Sequence, residues 1–357
     1  MIDRYGWSEA LALDFAPHAR AGHTPGRVVV QHRDGYLVVT DVGELRAKAA
    51  GRLLQDAEEG GYPAVGDWVA LTPDLAGVST IHAVLPRRTV FTRRAADSAR
   101  KVQVVAANID VAFVVTSLNA DLNHRRIERY LAAAWQSGAR PVVVLTKSDL
   151  SADPEAEAAE VAALASGCPV LVVSAREGRG LDALLAQVQP GETCVLIGSS
   201  GVGKSTLVNA FLGRARMAVD EIRESDHQGR HTTSHRELVL LPGGALILDT
   251  PGMREVGLID AEEGVGEVFD DIERLALHCR FNDCTHEGEP GCAVRAALDS
   301  GELDPGRWAN FRKLGVELAA AEEKAERAAR EAERRRLAAL QKTYRATKRD
   351  HRGGRHD

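Results

Sequence analysis

Nine consecutive residues, Gly198-Ser199-Ser200-Gly201-Val202-Gly203-Lys204-Ser205-Thr206, have the spacing GxxxxGK[ST]. The apolar run Cys194 to Ile197 precedes them and the amphipathic run Leu207 to Leu212 follows, so strand, loop and helix come in the order a phosphate loop requires. Its glycines let backbone N–H groups curl around an anion at a helix N-terminus, Lys204 neutralises β and γ oxygens, and the Ser205 hydroxyl suits Mg²⁺. About 45 residues later, Asp249-Thr250-Pro251-Gly252 closes the apolar run Ala245 to Leu248. There Asp249 can reach the Mg²⁺ shell, and Gly252 can turn its N–H to a γ-phosphate.

Two further elements point to the base. Thr146-Lys147-Ser148-Asp149 ends the run Pro141 to Leu145 and has the [NT]KxD form. The Asp149 carboxylate can accept from guanine N1–H and the 2-amino group, whereas facing adenine it would be left unpaired, a loss that discriminates strongly. Lys147 would lie along the base. Ser174-Ala175-Arg176, after Val170 to Val173, matches the SA[KR] element whose backbone contacts guanine O6. Singly these short motifs are common; four at four strand ends converge on GTP and GDP as ligands.

Their order is permuted, with the guanine elements first and the phosphate loop afterwards. A sheet tolerates this because domain termini often lie close together, so old ends can be joined and new ones cut without losing contacts. The switch threonine falls in Gly229-Arg230-His231-Thr232-Thr233-Ser234, where Thr233, or Thr232 beside it, can add a hydroxyl to Mg²⁺. Met253 follows Gly252, where many GTPases place a water-orienting glutamine. His231 is the nearest replacement in sequence, and an imidazole can relay a proton.

Three thiols and one imidazole, Cys279, Cys284, His286 and Cys292, fall within fourteen residues and form a Cys₃His set suited to one structural, tetrahedral Zn²⁺. His278 is the lesser alternative to His286. Cys168 and Cys194, alone in apolar runs, read as small core residues.

The elements that must hold these groups follow from the hydrophobic pattern. From Gly26 to Ala95, short β-like runs broken by Asp34-Gly35, Gly43 and Pro63 predict a small barrel. From Asn108 to Ile259, near-continuous apolar runs alternate with helical stretches such as Ile127 to Trp135, the mark of a parallel sheet covered by helices. A short helical stretch, Val265 to His278, leads into the cysteines. Ala319 to Leu340 reads as a long solvated helix with a disordered end. The expected units are an extension 1–25, a barrel 26–98, a nucleotide domain 99–260, a zinc-binding unit 261–318 and a tail 319–357.

With 357 residues and 44% hydrophobic content the chain is long enough for such a multi-domain α/β protein. The net charge is −6, but Arg334 to Asp357 hold nine Lys or Arg against two Asp, a basic tail on an acidic body. No run of about 18 uncharged apolar residues and no apolar signal core occur, which predicts a cytoplasmic protein without a membrane partner. Two rival readings stay open. A P-loop ATPase leaves Thr146 to Asp149 unexplained, and a GTP-binding RNA scaffold with little turnover is conceivable given Met253.

Taken together, the permuted order, GSSGVGKST, GRHTTS, DTPG and CRFNDCTHEGEPGC closely resemble the bacterial ribosome small-subunit-dependent GTPase A family, over roughly Gly26 to Gly315. The resemblance implies an N-terminal OB-fold barrel, a circularly permuted P-loop GTPase domain and a C-terminal α-helical zinc-binding domain. It implies GTP hydrolysis stimulated by the 30S subunit during late maturation, 16S rRNA as a contact, and action as a monomer. It makes Cys279, Cys284, His286 and Cys292 the zinc ligands and His231 the catalytic histidine, with Lys204 and Thr233 beside it. Paired bases at Arg87-Arg88, Arg93-Arg94 and Arg100-Lys101 would then offer the barrel a grip on RNA.

Overall fold

The computed structural model describes residues 1–32, 34–56, 61–95, 98–119, 122–165, 167–213, 236–249, 265, 268–320 and the single positions 323, 327, 330 and 334; the side chains of 56, 93–95, 98–102, 236 and 249 lie outside this set. His231, Thr232, Thr233, Gly252 and Met253 also fall outside it, as do all but single positions of the 319–357 tail beyond residue 320.

Five strands close a barrel: β1 (Thr24–His32), β2 (Gly35–Thr40), β3 (Gly43–Ala49), β4 (Trp68–Thr72) and β5 (Ser79–Val84), ordered β1-β2-β3-β5-β4 and returning to β1. All neighbours are antiparallel except β3 and β5. This closed five-stranded arrangement is that of an OB-fold. Alternation drives it, because Val28, Val38, Leu45, Ala47, Val69, Leu71 and Ile81 all point into one core. β3 was not among the apolar runs visible in the sequence; its outward residues Glu44, Arg46 and Lys48 disguise the inward Leu45 and Ala47. Helix α1 (Glu9–Arg20), capped by Ser8 Oγ at 3.4 Å from Leu11 N, packs Leu11 and Phe15 against Trp68. α2 (Gly51–Asp56) follows β3, and the hairpin β6 (Val90–Ala95) and β7 (Ser98–Ala107) follows β5.

The second region is built on β8 (Val111–Ser117), β9 (Arg140–Thr146), β10 (Val170–Val172), β11 (Thr193–Ile197), β12 (Arg236–Leu240) and β13 (Leu246–Asp249), ordered β10-β9-β8-β11-β13-β12. All are parallel except β12. β8 is buried on both faces: Val111, Phe113 and Val115 meet α5 (Leu181–Leu185) and α6 (Lys204–Leu212), while Ala112 and Val114 meet α3 (His124–Gln136) and α4 (Pro154–Leu164). β12 also pairs antiparallel with β1 at Val30↔Glu237 and Gln31↔Arg236, so barrel and nucleotide domain share one eleven-stranded sheet.

The chain then forms α7 (Asp270–Ala276), the cysteine loop, α8 (Ala293–Ser300) and a helix over residues 305–320. Val268, Phe269, Val294 and Leu314 join the same apolar cluster as Ile127 and Leu131 of α3. The cysteine-bearing unit is therefore packed onto the nucleotide domain.

Candidate nucleotide-binding site and metal cluster

Parallel strands carry their loops out at their C-terminal ends, and the predicted elements collect there. The phosphate loop leaves β11 through Gly198, whose φ is 148° and where a Cβ would stand 2.2 Å from Val115 O of the neighbouring β8. Gly201 and Gly203 also have positive φ, 79° and 98°, and Gly203 caps α6. A Cβ at Gly201 would meet nothing within 4 Å, so the loop's mouth is open. Lys204 Nζ donates to Gly198 O at 2.7 Å and to Ser199 O, folding over the loop whose N–H groups would hold phosphate. Val202 is buried beneath the loop, Ser199 is half-buried, and Ser200, Ser205 and Thr206 are exposed at its mouth.

Beside it, β9 ends in Thr146, whose Oγ1 lies 2.5 Å from Val202 O and 3.1 Å from Thr116 O. One hydroxyl thus ties the guanine element to the phosphate loop. Lys147 takes a left-handed conformation, φ 57°, which turns the chain into Ser148 and Asp149. Ser148 is buried with its N–H on Val173 O at 3.2 Å. Ser174, buried at the end of β10, donates its hydroxyl to Asp149 Oδ1 at 2.7 Å, and this bond holds the Asp149 carboxyl below the usual carboxylate range. Ala175 lies half-buried in the tight loop closed by mutual bonds between Ser174 and Arg179. Thr146 to Asp149, Ser174, Ala175 and Gly198 to Thr206 are thus brought together. Asp249 ends β13 next to β11, opposite Glu237.

The residues present fit a guanine nucleotide. An ionised carboxylate held by a hydroxyl, a glycine-rich loop running into a helix N-terminus and a lysine folded over that loop are the required donors and acceptors.

The cysteine loop fits zinc on its interatomic distances. Cys279 Sγ stands 3.9 Å from Cys292 Sγ and 3.5 Å from His286 Nδ1, and His286 Nδ1 is 3.4 Å from Cys292 Sγ. With Cys284, the four ligand atoms lie within 4.8 Å of one another. Tetrahedral zinc, with bonds of about 2.3 Å to sulfur and about 2.0 Å to nitrogen, requires edges of roughly 3.8 Å and 3.5 Å. Cys292 caps helix α8, and against the cost of burial the N–H groups of Val294 and Ala293 depress the Cys279 thiol. His286 adopts φ 61°, and Trp308 packs edge-on to its ring at 5.7 Å.

Sequence reasoning missed several supports. Glu289 accepts from the Thr285 hydroxyl and from the N–H groups of Thr285, Glu287 and Gly288, which holds its carboxyl far below the usual range and fixes the loop between two ligands. Arg87, expected as part of an RNA grip, instead spans buried Asp67 with bonds of 2.8 and 2.7 Å and reaches Tyr62 O. A buried carboxylate demands a partner, and Arg87 is it. The side chains of Arg93, Arg94, Arg100 and Lys101 lie outside the described set.

Comparison with known proteins now decides the family. The RsgA GTPase family model matches residues 84–259. A small ribosomal subunit biogenesis GTPase RsgA from Opitutus terrae is 48% identical over 359 residues, covering 98% of both chains. The chain belongs to the RsgA GTPase family. The Streptomyces coelicolor protein of the same description is 50% identical over 316 residues, 88% of this chain and 85% of that one. Among solved structures, YjeQ from Thermotoga maritima has 28% identity and a TM-score of 0.63, covering 83% of this chain and 99% of its own. YloQ, described as a circularly permuted GTPase, shares the fold with a TM-score of 0.61 at 23% identity, covering 84% and 96%.

Proposed function

We propose that this chain hydrolyses GTP during maturation of the small ribosomal subunit, with turnover stimulated by the 30S particle. The observation that carries the reading is the junction of the base-reading carboxylate, Asp149, with the phosphate loop through Thr146 and Val202. The relatives' description as small ribosomal subunit biogenesis GTPases supplies the setting.

In this reading Asp149 accepts from guanine N1–H and the 2-amino group while Ser174 keeps it ionised. Lys147 lies along the base, and Ala175 offers its backbone to O6. The N–H groups of Gly198 to Gly203 and the Lys204 ammonium meet the phosphates, replacing the carbonyl contacts of Lys204 with the transferring group's oxygens. Ser205, Thr233 or Thr232, and Asp249 would hold Mg²⁺, which neutralises charge building on the β–γ bridge. His231 orients the attacking water where Met253 has no group to do so, and Gly252 gives its N–H to the γ-phosphate. Cys279, Cys284, His286 and Cys292 hold a structural Zn²⁺ with no position left for chemistry. The barrel and the basic tail contact 16S rRNA, and the protein acts as a monomer in the cytoplasm. Among the described residues no helix is long and apolar enough to cross a membrane.

The test is GTP hydrolysis alone and with purified 30S, 50S and 70S particles. Stimulation by 30S above the others is expected, and tight GTP binding with no stimulated turnover would leave a scaffold instead. Asp149→Asn should move nucleotide preference from guanine towards xanthine; unchanged GTP preference in a competition assay refutes the base-reading role.

A further inference from the structure

One guanidinium gathers the unit that carries the cysteines to the nucleotide domain. Arg307 stands in the first turn of the helix 305–320, its N–H bonded to the capping Asp304 Oδ2 at 2.7 Å. Its Nη1 donates to Glu128 Oε1 of α3 at 2.6 Å. Its Nε and Nη2 donate to the two oxygens of Asp271 at 2.8 and 2.7 Å, and Nη2 also reaches Val268 O at 2.7 Å. The guanidinium lies over the Phe269 ring, 4.8 Å from its centroid. Asn310 donates to the other Glu128 oxygen, and both of these residues are buried, 4% and 3% exposed.

Simple adhesion does not require this arrangement, since well-packed apolar residues in place of a buried ion cluster are often as stable or more so. What a planar, five-donor cation adds is geometry. The three elements it joins are placed to communicate. α3 follows β8, whose Val115 and Thr116 carbonyls touch Gly198 and Thr146 of the nucleotide loops. Val268 to Asp271 lies on the chain between the Asp249 motif and Cys279. The exposed pair Arg129–Glu317 at 2.9 Å spans the same gap but is too solvated to fix it.

We propose that Arg307 is a positioning residue that makes α3 and the segment from Val268 to Ala276 respond to the bound nucleotide as one body. The inference rests on GTP and GDP occupying the site described above.

Amide hydrogen exchange of the full chain, loaded with GDP or with a non-hydrolysable GTP analogue, tests it. In the wild type, peptides covering 124–136 and 268–276 should both change between the two states, by about fivefold or more, the lower end of ordinary coupling between sites. In Arg307→Met, and in Glu128→Gln should that variant fold poorly, the 268–276 peptides should still change while those of α3 no longer follow. Zinc content should stay at wild-type level. Continued response of α3 in both variants overturns the proposal, as does a wild type in which only one segment responds. A fluorescent GDP titration run alongside separates the two claims, because absence of binding removes the nucleotide reading itself together with this inference.

Discussion

Two arginines hold this molecule together at two joints, Arg27 buried and Arg307 half-buried, and they are satisfied in opposite ways. Arg27, on β1, donates to Gly66 O at 3.3 Å, Asn108 O at 3.1 Å, Thr193 Oγ1 at 2.8 Å and Tyr5 O, tying barrel, N-terminal segment and nucleotide domain with neutral acceptors. Burial lowers its pKa to about 10, with Asp110 and Asp67 opposing the shift. Arg307 is also disfavoured by burial, but Asp271 and Glu128 outweigh that and raise its pKa. Each cation rests on an aromatic face, Trp68 at 5.3 Å and Phe269 at 4.8 Å. The barrel joint borders a cavity of about 310 Å³ lined by Arg27, Trp7, Trp68 and Asp110, so water can replace a lost donor there. At the other joint, loss of the guanidinium would leave the buried Glu128 carboxylate with Asn310 but without a cation. The expectation is that the joint built on a buried carboxylate fails harder than the one built on neutral dipoles.

Removing zinc should break the comparison most completely. A chelator is expected to abolish exchange protection over 270–300 and loosen the Arg307 joint while residues 24–84 keep theirs, since structural zinc contributes on the order of 10 kcal/mol or more. Equal protection with and without chelator would contradict a structural metal. Next in size is Arg307→Ala, which leaves Glu128 with Asn310 but no cation and should cost about 3–5 kcal/mol in urea unfolding. Arg27→Met should cost about 1–3 kcal/mol, less than Arg307→Ala, because water reaches the freed carbonyls; the reverse order would mean the cavity stays dry. Smallest is Thr193→Val, about 1 kcal/mol, from a single acceptor lost to Arg27.

Much of this was legible beforehand, for identifiable reasons. A phosphate loop and a zinc loop are local: Gly198 to Thr206 and Cys279 to Cys292 each place their groups within one short stretch of chain, so spacing alone carries the geometry. The apolar runs of β8, β9 and β11 were readable because strands buried on both faces need no alternation. β3 was hidden by its charged outer face, and Arg87 was misread because a basic pair looks the same whether it faces solvent or a buried Asp67.

Residue types and order by themselves determined the ligand chemistry, the permuted motifs and the four candidate metal ligands. Only the tertiary structure decided how the units are joined: the pairing of β1 with β12, the placement of Arg27 against Thr193, 166 residues away, and of Arg307 against Glu128, 179 residues away. The physical reason is that a motif's geometry is set by its own backbone, whereas a buried charge shows its role only once the fold has chosen which distant acceptors lose their water with it.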